Sequence, residues 1–356
     1  MNVELGQQAR SSLQFLGAVQ EFAGGTLQKR AAQEYERAVP TPPSDLDGQR
    51  ESVYAALENS SAWAFDRLIT RWVAEEIYVR ALPAIETIRP EAERFLEVSN
   101  PSGSLTLDSD LVPPTYWEHG FHLTPGGWDG HDLMGPAISE LAFAYVLSPG
   151  GVGAVRTGEN LNDQRTMVAA EAPRENYRHI VEFGASGGRY TFKLRSAYPS
   201  AAITAIELSE TALRFAYAQA AVVDARIDWV QAAAENSGLP DGCADLVTSY
   251  TLMHEVPESV NRQIVAEAFR ILEPGGDLVI SEIAPYEHHS AFRAVVLDWE
   301  TENRGEPYWR EVMAMDLPAA LSAAGFVDIE AYGVGGGIYP WITRARKPLT
   351  TNGADQ

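Results

Sequence analysis

Apolar residues three and four apart recur from Ser11 to about Val98, in Leu13, Leu16, Val19 and Phe22 and again in Trp63, Phe65, Leu68, Ile69, Trp72, Val73 and Ile77. That spacing lines one face of a helix, and it predicts a mainly helical domain over residues 1–100. The cluster Pro40, Pro42 and Pro43 separates the first helix from the next, and Pro83 and Pro90 mark later ends or kinks. Between Asn100 and Gly153 the pattern gives way to Gly, Pro and aromatic residues, and 113–135 reads as an ordered loop. Its Trp117, Phe121 and Trp128 carry too much apolar surface to leave in water. From His179 the rhythm changes again: short apolar runs at 179–183, 202–206, 227–230, 245–250 and 278–282 alternate with amphipathic helices at 209–223 and 259–272. This alternation predicts an α/β fold with a mostly parallel sheet covered by helices on both faces. The expected organisation is a helical domain over 1–100 acting as lid or dimerisation element and a loop-rich and helical connection over 101–174. An α/β domain over 175–347 and a flexible tail over 348–356 follow.

Composition narrows the function classes. Hydrophobic residues form 45% of the chain and charged ones 21%, which is ordinary globular usage, so the chain can build a core. A formal net charge of −22 opposes binding to a polyanion, because nucleic-acid affinity rests on Lys and Arg neutralising phosphates. DNA and RNA are therefore excluded as expected partners, whereas a cationic ligand is compatible. Cys243 is the single cysteine, which rules out an internal disulfide framework and a Cys-rich zinc site and makes the cytoplasm the expected compartment. No apolar run approaches the ~20 residues needed to span a bilayer, so no membrane association is expected.

The run at 179–183 leads into Glu182-Phe183-Gly184-Ala185-Ser186-Gly187-Gly188, a Gly-rich turn opening a helix, where missing side chains let backbone approach a ligand. Glu182 stands where a dinucleotide fingerprint has its first glycine, and a carboxylate there repels a pyrophosphate but attracts an ammonium. Glu207 ends the next run about 20 residues on, the place of an acidic residue that accepts both ribose hydroxyls. Further along come Asp245-Leu246-Val247-Thr248-Ser249-Tyr250 and Leu252-Met253-His254-Glu255, then Arg270-Ile271-Leu272-Glu273-Pro274-Gly275-Gly276, then Ala323-Ala324-Gly325-Phe326. In their order and spacing these motifs resemble the class I S-adenosylmethionine-dependent methyltransferases, particularly the small-molecule subgroup of the ubiquinone and menaquinone biosynthesis enzymes. The resemblance covers roughly residues 175–347. It implies a Rossmann-like, seven-stranded, mostly parallel sheet and S-adenosyl-L-methionine as cofactor, held against Glu182, Gly184, Ala185, Gly187, Glu207, Leu208, Ala234, Glu235 and Tyr250. Two departures stand out. Where the family usually has Gly-Asp-Ala, its Asp reaching the adenine amino group, this chain has Ala232-Ala233-Ala234-Glu235, leaving Glu235 or backbone near Ala234 for that contact. Ser186 also replaces a usual glycine.

Methyl transfer from a sulfonium requires a nucleophile held in line, and a hydroxyl nucleophile must also lose its proton. His254 follows the 245–250 run, where ligands bind in open α/β sheets, and an unperturbed imidazole suits proton removal near neutral pH. His254, Glu255 and Glu282 form the candidate reaction set; the ordinary alternative is that His254 caps a strand end or bonds to Glu255. Candidate substrate contacts are His119, His122 and Trp128 in the aromatic loop and His288 and Trp299 after the 278–282 run. The N-terminal half is expected to close the active site, the loop supplying walls and polar contacts. A metal site is not expected: His119 and His122 are three apart, but Gly120, Pro125, Gly126 and Gly127 argue against the helix that would align them. The absence of an Asn-Pro-Pro-Tyr turn favours O- or C-methylation over N-methylation of nucleobases or glutamine, with oxygen ahead of carbon. The substrate is expected to be a small metabolite, of the secondary-metabolite kind, and a homodimer through the N-terminal helices is the expected assembly. The competing readings are a methyltransferase-fold enzyme catalysing elimination, cyclisation or decarboxylation, and a non-catalytic dimeric binding protein.

Overall fold

The computed structural model describes residues 1, 4–99, 102–118, 121–151 and 160–349. They form two compact units: Met1–Glu97 with Trp117–Leu161 and Ala284–Ala314, and Val98–Tyr116 with Asn162–Ile283 and the residues from Met315 onward. Segment 284–314 thus groups with the N-terminal helices although it follows the central strands in sequence.

The second unit is built on one sheet: β1 (Ser104–Thr106), β2 (His179–Phe183), β3 (Ala202–Glu207), β4 (Asp228–Gln231), β5 (Ala244–Tyr250), β6 (Leu272–Glu282), β7 (Val327–Gly333) and β8 (Trp341–Arg346). Their spatial order is β1-β4-β3-β2-β5-β6-β8-β7. All pairings are parallel except those of β8, which runs antiparallel to both β6 and β7. The central strands read as continuous apolar runs because both faces are covered; every residue of β5 is buried. The helix Glu210–Val222 starts at Ser209, whose hydroxyl accepts from the Ala212 amide at 3.1 Å, and Leu213, Phe215 and Ala216 are buried beneath it. Eight strands are present where seven were expected. The addition is β1, which pairs with β4 through Ser104–Asp228, Leu105–Trp229 and Thr106–Val230; three residues offer no periodicity by which a strand can be recognised.

The first unit contains the helices Gln7–Phe22, Gln28–Ala38, Leu46–Ala56, Ser61–Glu86, Arg89–Leu96 and Ala291–Asn303. The expected break at Pro40–Pro43 falls between Gln28–Ala38 and Leu46–Ala56, but an earlier one exists: a π-helical turn at Ala23–Leu27, carrying Gly24 and Gly25, divides the first helical run. Pro83 does not end its helix, which continues to Glu86. Pro83 lacks the amide for a bond to the Val79 carbonyl, and Val79 is an exposed residue of the helix. Phe65 and Leu68, read as part of the apolar face, are exposed; Trp63, Val73 and Ile77 are buried. No helix among the described residues is long and apolar enough to cross a membrane.

Candidate functional site

The turn after β2 is shaped by backbone that side chains would obstruct. Gly184 has φ +70°, and a Cβ there would lie 2.8 Å from Leu252; Gly188 has φ +79°, and a Cβ would lie 2.6 Å from the Trp229 ring. Between them Ser186 is left-handed at φ +47°, which explains why a glycine is the common residue at this position. Ala185 and Gly187 are buried, and the Ala185 amide donates to the Ile206 carbonyl at 3.0 Å, stitching the turn to β3. Glu207 at the end of β3 accepts from the Ser186 amide at 2.8 Å through one carboxylate oxygen and from the Ser209 amide at 2.9 Å through the other. Buried Leu208 follows it.

Glu182 is a buried carboxyl of this site. It is 1% exposed, and its Oε2 has no hydrogen-bond partner among the described residues. Burial pushes its carboxyl up to about 8, with a further rise from the Glu207 charge, while Thr191 and the Arg165 guanidinium pull the other way. Arg165, on the helix Leu161–Ala169, is itself buried and lies over the Tyr250 ring, 5.1 Å from its centroid. Tyr250 ends β5, packs its ring 5.4 Å from that of Tyr190, and shares a 2.9 Å hydrogen bond with the Tyr339 hydroxyl. Burial raises the phenols of Tyr250 and Tyr339 above their ordinary range. Ala234 and Glu235 lie on the turn after β4, Ala234 buried and Glu235 partly exposed. The Tyr116 hydroxyl donates to both Glu235 oxygens, at 2.7 and 2.9 Å. Sequence reasoning missed Arg165 and Tyr116: the first precedes every motif, and the second is one of several aromatics in a loop.

His254 and Glu282 form a buried pair. The His254 Nδ1 lies 2.9 Å from each oxygen of Glu282. A carboxylate only accepts, so Nδ1 carries the proton and Nε2 is left as the basic nitrogen. The Met253 and Ile283 amides donate to the same carboxylate, at 3.0 and 2.8 Å, which fixes its plane. Asn261 holds the turn from below, its side-chain amide donating to the carbonyls of Met253 (2.8 Å) and Val256 (3.2 Å). Glu255 places an oxygen 3.6 Å from Nε2, beyond hydrogen-bond length but close enough to act as counter-charge to an imidazolium.

The remaining candidates belong to the helical unit. His122 Nδ1 lies 2.7 Å from a buried Glu306 oxygen, and its ring meets Trp128 edge-on at 5.3 Å. His288 is exposed, 3.6 Å from Glu287. Trp299 carries the Arg67 guanidinium over its ring at 4.4 Å. His119 lies outside the described residues. Glu86, His131 and Asp132 converge closely enough to hold a cation, but Arg89 already bonds Asp132 at 2.7 and 2.9 Å and Glu86 at 2.5 and 2.7 Å.

Residues 180–276, from β2 into β6, match the family model of the methyltransferase domain. The demethylspheroidene O-methyltransferase of Rhodobacter capsulatus is 26% identical over 164 residues, 42% of this chain and 39% of that enzyme, so the chain matches well under two thirds of its relative's length. Among solved structures, the phosphoethanolamine N-methyltransferase 2 of Haemonchus contortus in complex with S-adenosyl-L-methionine overlaps 68% of this chain and 62% of its own, at 13% identity and a TM-score of 0.46. The [4+2]-cyclase SpnF overlaps 61% of this chain and 93% of its own, at 19% identity and a TM-score of 0.43. The match over 180–276 falls on the part of the sheet from β2 into β6, so the similarity to a methyltransferase domain lies on the segment that holds Glu182, Glu207 and His254.

Proposed function

We propose that the chain is an S-adenosylmethionine-dependent O-methyltransferase acting on a hydroxyl of a small molecule. The observation that carries the choice of oxygen is the His254–Glu282 pair, since a hydroxyl acceptor must surrender a proton and the Nδ1 bond makes Nε2 the basic nitrogen that takes it. The residues fit the cofactor: the unsatisfied oxygen of buried Glu182 suits an ammonium, the neighbouring Arg165 suits a carboxylate, and together they match the zwitterion of its methionine end. Glu207 suits the ribose diol and the turn bearing Ala234 and Glu235 the adenine. When bound, S-adenosylmethionine supplies a methyl group on a cationic sulfur.

His254 Nε2 takes the proton as the substrate oxygen becomes the nucleophile. Glu282 balances the resulting imidazolium through the Nδ1 bond, and the Met253 and Ile283 amides keep its carboxylate from turning away. Glu282 is thus a positioning residue, and Glu255 adds a second negative charge on the Nε2 side. The test is incubation of the purified protein with S-adenosylmethionine and a panel of phenols, enols and alcohols, read by mass spectrometry. Methylated product lost in His254→Ala supports the reading; cofactor binding without methyl transfer to any hydroxyl would replace it by a non-methylating reaction on the same fold.

A further inference from the structure

The segment ahead of the methyltransferase domain lies outside the residues that match the family, yet it is fastened along β4 step by step. The Ser102 hydroxyl donates to Asp224 at 2.6 Å, the Ser104 hydroxyl to Asp228 at 2.7 Å and the Asp108 amide to the Gln231 side chain at 3.1 Å, while β1 pairs with β4 in parallel. The contacts advance from Asp224, ahead of β4, through its first residue Asp228 to its last, Gln231. Beyond them is Tyr116, 6% exposed, whose hydroxyl spans both oxygens of Glu235 on the turn that follows. That turn is tight, closed by the Asn236 amide on the Ala233 carbonyl at 3.0 Å.

A glutamate has one more rotatable bond than the aspartate common at this turn, so an unrestrained Glu235 would read a ligand edge less sharply. A hydroxyl donating to both oxygens anchors the carboxylate head in one place and leaves its outer lone pairs for a second donor. We propose that Tyr116 is a specificity-determining residue for the adenine end of the cofactor, locking Glu235 so that it accepts from a 6-amino group and rejects a 6-oxo group. The proposal rests on the cofactor reading above. A purine carrying a carbonyl at that position would set oxygen against carboxylate, and the site's own polar group would be left unpaired.

The test compares binding of S-adenosylhomocysteine with that of S-inosylhomocysteine, its 6-oxo counterpart, by calorimetry on the full chain. The wild type is expected to favour the amino form by about tenfold or more, the worth of one hydrogen bond to a charged group. Tyr116→Phe should lose most of that preference, chiefly by weakening the amino form. Glu235→Gln, whose amide can donate to a carbonyl, should gain affinity for the 6-oxo form. Wild-type protein that binds neither ligand overturns the cofactor reading and the proposal with it. Wild-type protein that binds both equally, or a Tyr116→Phe variant that loses both in equal proportion while Glu235→Gln gains nothing for the 6-oxo form, overturns the proposal and leaves the cofactor reading standing.

Discussion

Replacing Glu182 by glutamine should stabilise the cofactor-free protein at alkaline pH while removing its affinity for a cationic ligand. Glu182 is enclosed, one oxygen has no partner among the described residues, and its carboxyl is raised from 4.5 to about 8. The folded state therefore binds a proton that the unfolded chain releases above its ordinary carboxylate pKa. Stability conferred by this group is complete below about 4.5 and is lost as pH climbs through about 8, because the native state then has to hold a buried charge. At ~1.4 kcal/mol for each pH unit between the two, the loss between about pH 5 and about pH 8 comes to roughly 3–4 kcal/mol. The amide does not titrate. Any fixed cost of fitting its NH2 group is the same at every pH, so the wild-type-minus-variant difference isolates the carboxyl. Denaturant midpoints or melting temperatures of both proteins across that range measure it, and at ~2–4 °C per kcal/mol the relative change is about 6–16 °C. A difference that stays flat from about pH 5 to about pH 8 would refute the buried-carboxyl argument.

Further outcomes follow from the same geometry. His254→Ala should lower turnover by ~10² to 10⁴ with cofactor affinity intact, and Glu282→Gln should lower it while moving the alkaline-rising limb of the pH–rate profile; unchanged profiles would leave the pair a structural contact. Glu207→Ala should weaken S-adenosylhomocysteine by ~1.5–3 kcal/mol in calorimetry, the cost of losing charge-assisted bonds to two hydroxyls. Arg165→Met should weaken S-adenosylhomocysteine by about tenfold or more but leave 5′-methylthioadenosine, which lacks the amino-acid end, nearly unaffected; equal losses for both would mean that Arg165 serves only packing. Ser186→Gly should raise unfolding stability by ~1–2 kcal/mol by relieving the left-handed serine, and a destabilised variant would show that the hydroxyl has an unrecognised partner.

The parts legible in sequence are those where one short stretch contains both the backbone requirement and the chemistry. The glycine turn with Glu182 is such a stretch, and Glu207 follows at the end of the adjoining strand. His254 and Glu282 are 28 positions apart, but β5 and β6 are neighbours in register, with Tyr250 opposite Ser281, so two strand ends deliver both residues to one place. Arg165 and Tyr116 were not legible because nothing local marks them: Arg165 meets Tyr250 and Tyr116 meets Glu235 from segments whose own pattern describes only a helix or a loop. β1 was missed for a related reason, its three residues being identified by hydrogen bonds to β4 alone. The exposed Phe65 and Leu68 show the opposite failure, where helical spacing assigned a buried face that packing does not use.

The position of the site follows from strand order more than from any single residue. β2 lies between β3 and β5; the chain leaving β2 crosses to β3 on one side, while the chain leaving β5 crosses to β6 on the other. The two connections diverge, and the carboxyl ends of β2 and β5 face a crevice that neither covers, which is where open α/β sheets bind ligands. Both turns at its edges adopt left-handed backbone in residues other than glycine, Ser186 after β2 and Thr251 after β5, at ~1–2 kcal/mol each. Each is restrained by a bond to a neighbouring strand: Ser186 through its amide to Glu207, Thr251 through its amide to the Ser281 carbonyl at 2.8 Å. The strain therefore sits where β3 and β6 over-determine the turn conformation. Those same two strands end in Glu207 and Glu282, so the bonds that hold the turns in shape also tie them to the Glu207 carboxylate and to the carboxylate that orients His254.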